Sequence, residues 1–297
     1  VEFLKIFFPE LGKEIYFFIP PLVSFVLSFF TSMAGVSGAF LLLPFQMSIL
    51  GFTTPSVSAT NFLYNVVGIP GGVIRYIREG RMSWPLAWIT IAGTLPGVLF
   101  GYYARVKYFP DPRVFKLFVG LVLLYVALRL IKVQGGKKTP SSDKKDFTIR
   151  NVTWGIKRVE YDFMDEHLSF SVPALFFLAI VVGTIGGIYG IGGGAIIAPF
   201  CVTFLKLPVY TVAGAALLGT FATSILGVIF YSTIALNNGS PAPPDWLLGI
   251  LFGLGGLLGM YLGAKLQKYI PEHIIKVVLA LIIFSVSGKY ILQFFFF

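Results

Sequence analysis

Apolar runs recur along almost the whole chain, and every acidic residue falls in the gaps between them. The thirteen Asp and Glu residues are Glu2, Glu10, Glu14, Glu79, Asp111, Asp143, Asp146, Glu160, Asp162, Asp165, Glu166, Asp245 and Glu272. A polypeptide patterned this way has few folds open to it. In a bilayer the backbone must satisfy its own hydrogen bonds, and apolar segments of about 20 residues do so as spanning helices. Charged residues make up 12% of the 297 positions and the mean hydropathy is +0.85, against about 25% charged in an average soluble domain. A soluble enzyme with a large core is excluded, because the apolar runs fill the chain and the charges sit in short gaps. The chain reads as an all-α integral membrane protein, multi-pass, in the cell (plasma) membrane.

The net charge of +10 does not point to nucleic acid. No basic stripe interleaved with aromatics appears, and Lys and Arg in loops hold those loops on the cytoplasmic side. The single cysteine, Cys201, excludes an internal disulfide and a Cys-rich metal site. It lies in an apolar run and reads as a packing residue.

In chain order, residues 1–14 form an interfacial lead-in, and residues 15–132 a first membrane half. Residues 133–167 form a basic connector, on the cytoplasmic side, whose loose alternation suggests a small β-hairpin. Residues 168–297 form a second membrane half. Each half contains an apolar run that meets a glycine motif, then a short apolar segment, then three longer ones. The motifs are TSMAGVSGAFLLLPF at 31–45 and GGIYGIGGGAIIAPF at 186–200. Gly35 and Gly190 are 155 positions apart, as are Pro44 and Pro199, Gly72 and Gly227, and Tyr76 and Tyr231. Beyond one loop the shift becomes 162, matching Trp84 to Trp246 and Gly97 to Gly259. The chain is internally duplicated.

The short segment at 39–50 reaches about 18 Å as a helix, against a hydrocarbon thickness of about 30 Å. The expectation is a broken, re-entrant helical hairpin in each half, followed by three transmembrane helices. Each half then crosses an odd number of times, so the two are inverted repeats. Charge agrees: loop 75–83 carries Arg75, Arg78 and Arg81, whereas loop 237–245 carries no Lys or Arg, which sets them on opposite sides. On this scheme Lys206, Lys265 and Lys268 fall inside, both termini fall outside, and Arg105, Lys107 and Arg113 fall outside against the trend. Arg75 reads as a topology residue.

The interior offers backbone, amides and hydroxyls, with no carboxylate or histidine in any proposed span. Carboxylate proton relays and cation sites are therefore not expected, nor a metal centre, a cofactor or an intramembrane catalytic set. GIGGGA is not a phosphate loop, since no Lys-Ser/Thr follows and no strand precedes it. Short helices starting near Ala39 and Ala195 would present N–H groups and positive dipole ends suited to an anion. Candidate substrate-binding residues are Ser37, Gly38, Ala39, Gly192, Gly193, Gly194 and Ala195, with Asn61 and Asn65 on one following helix and Thr220 and Ser224 on the other. Two plainer readings stand beside this one. The glycines would also serve tight helix crossings, and the amides and hydroxyls would also serve as interhelical hydrogen bonds.

GVSGAFLLLP and GIGGGAIIAP, in a membrane chain of this size with a basic central loop, resemble the TauE/SafE sulfite exporter family over roughly residues 15–294. The first motif is degenerate, with Ser37 and Ala39 where the second has Gly192 and Gly194. The resemblance implies export of sulfite or an organosulfonate such as sulfoacetate, with the glycine motifs at residues 35–39 and 190–195. With the cytoplasm negative, each negative charge leaving gains about 2.3 kcal/mol per 100 mV, so an electrogenic uniporter with alternating access needs neither nucleotide nor proton relay. An anion channel is the alternative. The expected partners are a small anion and the bilayer, with no nucleic acid, and the Phe-rich surfaces are compatible with a homodimer.

Overall fold

The computed structural model describes residues 2–33, 36–109, 111–132, 148–164, 166–234, 242–270 and 272–296. Gly35, most of the basic connector (including Lys137, Lys138, Lys144 and Lys145) and positions 237–241 of the loop at 237–245 lie outside them.

Each half opens on a small sheet. Residues 2–4 form a 3-10 turn, and β1 (Lys5–Phe8) pairs antiparallel with β2 (Lys13–Tyr16), Phe8 opposite Lys13. In the connector, β3 (Ile149–Trp154), β4 (Arg158–Phe163) and β5 (Glu166–Ser171) form an antiparallel sheet in that order. The shift of 155 carries β1 and β2 onto segments of β4 and β5, so the duplication extends to a hairpin before each half's first helix. The sequence hides this because only Phe8 and Phe163 are identical across the paired strands; both are buried. β1 and most of β2 lie within the stretch expected as an interfacial lead-in. In the described part of the connector β3 and β4 form the expected hairpin, β5 adds a third strand that runs to Ser171, and α6 begins at Val172.

The helices of the first half are α1 (Ile19–Met33), α2 (Ala39–Phe45), α3 (Ser56–Arg78), α4 (Trp84–Tyr108) and α5 (Pro112–Lys132). Those of the second are α6 (Val172–Tyr189), α7 (Gly194–Phe204), α8 (Val209–Thr233), α9 (Trp246–Leu266) and α10 (Glu272–Phe296). Among the described residues, five stretches are long and apolar enough to cross a bilayer: α3, α6, α8, α9 and the Trp84–Arg105 part of α4. The protein is thus a mostly helical, multi-pass membrane protein with two small sheets. Local chemistry sets the ends. Ser171 and Asp245 accept from the N–H of Ala174 and Leu248 at the starts of α6 and α9, and Gly190 takes the left-handed conformation that stops α6. Pro44, inside α2, has no N–H to donate, and the helix loosens into a π-helical turn at Gln46–Leu50 closed by left-handed Gly51.

The halves interlock. On α4, Gly93, Gly97 and Gly101 lie against Ala179, Gly183 and Gly187 of α6; on α9, Gly255, Gly259 and Gly263 lie against Ser24, Ser28 and Ser32 of α1. Small residues four apart let two backbones approach closely. Each half's first helix thus packs along the other half's helix that carries the ladder. At the centre α3 and α8 run antiparallel: Tyr76 lies against Gly214, and Phe62 against Gly227. Tyr290 of α10 donates to the carbonyl of Pro44 at 3.1 Å and ties down the broken segment. Large apolar side chains such as Leu121, Phe177 and Leu281 point outward, as lipid-facing positions do.

Two ends of the molecule can be distinguished. At one, Lys13 Nζ donates to the Leu50 carbonyl at 2.9 Å, Ser56 Oγ to Glu10 Oε2 at 3.3 Å, and the Glu10 N–H to Asp245 Oδ2 at 3.2 Å. At the other, the Ile149 N–H donates to the Gly80 carbonyl at 3.0 Å, and the Tyr161 and Thr211 hydroxyls meet at 2.9 Å. α3 runs between them over about 34 Å. The Lys13–Leu50 bond joins β2, which precedes α1, to the end of the π-helical turn that follows α2.

Candidate functional site

The first glycine loop enters α2 through Ser37 and Gly38. Ser37 is fully buried; its hydroxyl donates to Asn65 Oδ1 and accepts from the Ala39 N–H at 3.1 Å. The Phe40 N–H turns back to the Ser37 carbonyl at 3.2 Å and the Leu41 N–H to that of Gly38 at 3.1 Å. A Cβ on Gly38 would run into the Tyr64 hydroxyl and sit 2.6 Å from Ser28 Oγ. Glycine is required there by close approach.

The second loop uses glycine for a different reason. Gly190 and Gly192 have φ of +84° and +79°, the left-handed region where side chains are strained. A Cβ on Gly192 would also lie 2.8 Å from Thr220 Cγ2 and 3.1 Å from Ser224 Oγ. The Gly193 N–H donates to Thr223 Oγ1 at 3.2 Å. Gly194 opens α7 with its Cα pressed on α8, where an added Cβ would strike the Ala216 carbonyl and stand 2.6 Å from the Thr220 nitrogen. Ala195 follows in α7, its side chain outside the described residues.

Two asparagines of α3 join the loops. Asn61 Nδ2 donates to the Ala39 carbonyl at 3.1 Å and to that of Gly190 at 2.9 Å. Asn65 Nδ2 donates to the Ile191 carbonyl at 3.0 Å and to Ser224 Oγ at 3.1 Å, while its oxygen takes the Ser37 hydroxyl. Each amide therefore touches both halves, and both are fully buried. Ser37, Asn65, Gly192, Thr220 and Ser224 meet in one cluster, with Asn61, Ala39 and Gly190 beside it. Thr220's hydroxyl is turned to Ala216 of its own helix at 2.9 Å. In this conformation the amide donors are held by carbonyls and a hydroxyl, and several of the first N–H groups at the short helices by nearby oxygens. The loops are closed on each other.

Three contributors were not singled out from the sequence. Gln46 Nε2 donates to Asn61 Oδ1 at 3.3 Å, and its own Oε1 is buried without a partner; the readable signal is an amide in a short segment that is apolar apart from it and Ser48. Tyr189, inside the GGIYG run, reaches across to the Phe40 carbonyl at 2.9 Å. Thr94 lies within 2.6 Å of where a Gly193 Cβ would stand, a packing relation that nothing local announces. Among the described residues no grouping of His, Cys, Asp and Glu is fit to hold a metal. At the far end of α3, Arg81 is paired: it contacts Glu79 at 2.5 Å and donates to Gln267 Oε1 at 2.7 Å and the Ala264 carbonyl at 3.0 Å. Arg75, expected as a topology residue, pairs with Glu79 one turn on.

The profile described as "Sulfite exporter TauE/SafE" matches residues 21–290. The probable membrane transporter protein YunE of Bacillus subtilis is 25% identical over 264 residues, 84% of this chain and 90% of that protein. A probable membrane transporter protein of Xylella fastidiosa is 23% identical over 266 residues, 88% of this chain and 90% of its own. One of Methanocaldococcus jannaschii is 23% identical over 280 residues, covering 85% and 87%. No solved structure matches.

Proposed function

The chain belongs to the TauE/SafE sulfite exporter family, and from that premise we propose that this membrane transporter exports a small sulfur-containing anion, sulfite or an organosulfonate such as sulfoacetate. The binding place is the midplane cluster between the glycine loops: Ser37, Gly38 and Ala39 on one side, Gly192, Gly193, Gly194 and Ala195 on the other, with Asn61, Asn65, Thr220 and Ser224 closing it. The observation that carries this reading is the pair Asn61 and Asn65, whose amides bridge both loops from the middle of α3. Amide and hydroxyl donors suit sulfur-bound oxygens and bring no negative charge of their own.

The repeats are read as inverted across the bilayer, each with a re-entrant hairpin. The antiparallel packing of α3 on α8 supports this, as does the Lys13 bond between the strand before α1 and the turn after α2. The conformation described is then an occluded one, in which the amides hold backbone carbonyls until an anion competes for them. Alternating access follows if the two halves move about that cluster, with the membrane potential driving the anion outward. The basic connector faces the cytoplasm, and the bilayer is the plasma membrane.

Counterflow in proteoliposomes with sulfite, sulfate, sulfoacetate, taurine and chloride tests the reading. Saturable exchange of a sulfur oxyanion is expected. Ohmic single-channel currents would make the protein an anion channel instead, and no flux of any of the five would refute both.

A further inference from the structure

At the end of the molecule that carries β1 and β2, one charge is left unanswered. Arg105, near the C-terminal end of α4, is 1% exposed. Its Nη1 donates to the carbonyl of Phe109, and its guanidinium lies over the Phe115 ring, 3.7 Å from the centroid. Its Nε and Nη2 have no partner. Two more buried hydroxyls lie in the same place, those of Tyr231 and Ser58, which face each other and have no further partner. Tyr102, one turn before Arg105, packs its ring edge-on against Tyr231 at 4.9 Å, and Arg105 and Ser58 both neighbour the Tyr231 hydroxyl. Among the described residues no carboxylate pairs with Arg105.

The other end shows how this fold treats a buried guanidinium when it is structural. Arg81 there has Glu79, Gln267 and a carbonyl, with only its Nε left over. Under the 162-residue shift Arg105 corresponds to Gln267, a neutral side chain whose amide is bonded on both sides. A buried guanidinium without a counter-charge is among the least favourable groups a fold can hold. An unpartnered guanidinium edge on α4, beside two hydroxyls from α3 and α8 that have only each other, is a binding arrangement lacking its acceptor.

We propose that Arg105, Tyr231 and Ser58 form a second oxyanion-binding station, at the end of the molecule opposite the β3–β5 sheet. The occupant is a small anion with at least two oxygens on one centre, as in sulfite, sulfate or a sulfonate. The guanidinium's free edge presents two N–H groups in a plane, the geometry that takes two such oxygens, and the hydroxyls supply further donors. Chloride, with one centre, can accept from both N–H groups but cannot give each its own oxygen, so it fits the fork less well. The station is connected to the midplane cluster. Ser58, Asn61 and Asn65 follow one face of α3 over about 10 Å, and Ser58 lies where a Gly190 Cβ would touch it at 2.6 Å. Arg105 is also a positive charge that the charge-sidedness argument leaves on the wrong side, which an anion-binding role explains. That the bound anion is the transported one rests on the transport reading; the binding does not.

The test uses the full chain in nanodiscs and proteoliposomes, as wild type, Arg105→Gln, Arg105→Lys, Tyr231→Phe and Ser58→Ala, each checked for a monodisperse gel-filtration peak. Equilibrium dialysis with sulfite (anaerobic), sulfate and chloride gives affinity, and counterflow gives flux. Arg105→Gln is expected to weaken binding of a sulfur oxyanion at least tenfold, Arg105→Lys by less, and Tyr231→Phe and Ser58→Ala two- to fivefold, with wild type holding chloride more weakly than either oxyanion. Arg105-dependent binding without flux would keep the station and refute transport. Flux and binding unchanged in folded Arg105→Gln would overturn the station and leave transport standing, Arg105 then serving only to cap α4. If that variant does not fold, unchanged affinity in both hydroxyl variants overturns the station. No binding by wild type overturns it outright.

Discussion

Replacing Asn65 with leucine removes the most connected side chain between the halves. Three hydrogen bonds go at once: the two donated to Ile191 and Ser224 and the one accepted from Ser37. Interhelical hydrogen bonds in membrane proteins average about 0.6 kcal/mol and reach about 1.7. The expected loss is therefore about 2 kcal/mol, with a ceiling of about 5. At about 1.4 kcal/mol per factor of ten, that is roughly a 30-fold shift in the folded-to-unfolded ratio. Reversible unfolding in mixed detergent micelles reads it directly. Ser224→Ala in the same background gives a coupling term of about 0.6 kcal/mol for the 3.1 Å bond. A leucine variant within about 0.5 kcal/mol of wild type, or no coupling to Ser224, would mean the amide bridge is not made, and the account of how the loops are held together would fall.

Other consequences are open to direct measurement. Gly192→Ala places a side chain at φ +79°, where an L-residue is strained by about 1–2 kcal/mol; transport should fall at least tenfold with the fold retained, and unimpaired counterflow would reduce the second loop to ordinary packing. Gly97→Ala and Gly259→Ala occupy matching places in the two ladders. Their added Cβ atoms would stand 2.9 Å from the Gly183 carbonyl carbon and 3.0 Å from Ser28 Cβ. Each should cost about 1–3 kcal/mol as overpacking, and clearly unequal losses in unfolding midpoints would argue against matched halves. The β3–β5 sheet should loosen as pH rises through neutrality. Asp162, hydrogen-bonded to His167 at 2.8 Å, raises the imidazole above its ordinary value, with Glu160 adding to it. A raised histidine gives its support below the unfolded value and loses it as pH passes the folded one. Amide exchange in residues 149–171 should therefore be slower, relative to the intrinsic rate, at pH 6 than at pH 8, and His167→Gln should abolish the difference. A difference that survives in that variant would assign it elsewhere. Asp162 works the opposite way, held low first by Asn151 and then by His167; its contribution is present above the unfolded carboxylate value and goes only as acid passes the folded one.

The membrane body was legible because its signals are periodic and local. The apolar runs fall on helices, Gly190 stops α6, and the 12-residue segment at 39–50 is a short helix interrupted at its proline. Matching glycines gave the duplication, and the ladders at Gly97 and Gly259 show the physical reason for that match: each lets a helix of one half lie on a helix of the other. The connector's alternation pointed to a hairpin there, but the β1–β2 hairpin was not legible, since strand pairing is a backbone affair and its side chains share only one buried phenylalanine with β4 and β5. At the site, the residue types on α3 and α8 pointed to a polar cluster. Which atoms meet did not follow from spacing, because Asn61 and Asn65 reach carbonyls more than a hundred positions away. Arg105 appeared in the sequence only as an exception to charge sidedness, and its lack of a partner is a property of three helices together.

The central claim is that a small sulfur oxyanion sits between the two glycine loops. Selenite has the same pyramidal three-oxygen form as sulfite and carries a strong anomalous scatterer, so diffraction from crystals grown with it locates the anion without interpretation of side chains. The account predicts an anomalous peak within hydrogen-bonding reach of Ser37, Asn65 and the Gly192–Gly194 backbone, lost in Asn65→Leu. Selenite that exchanges through the protein yet gives no peak between the loops would contradict it.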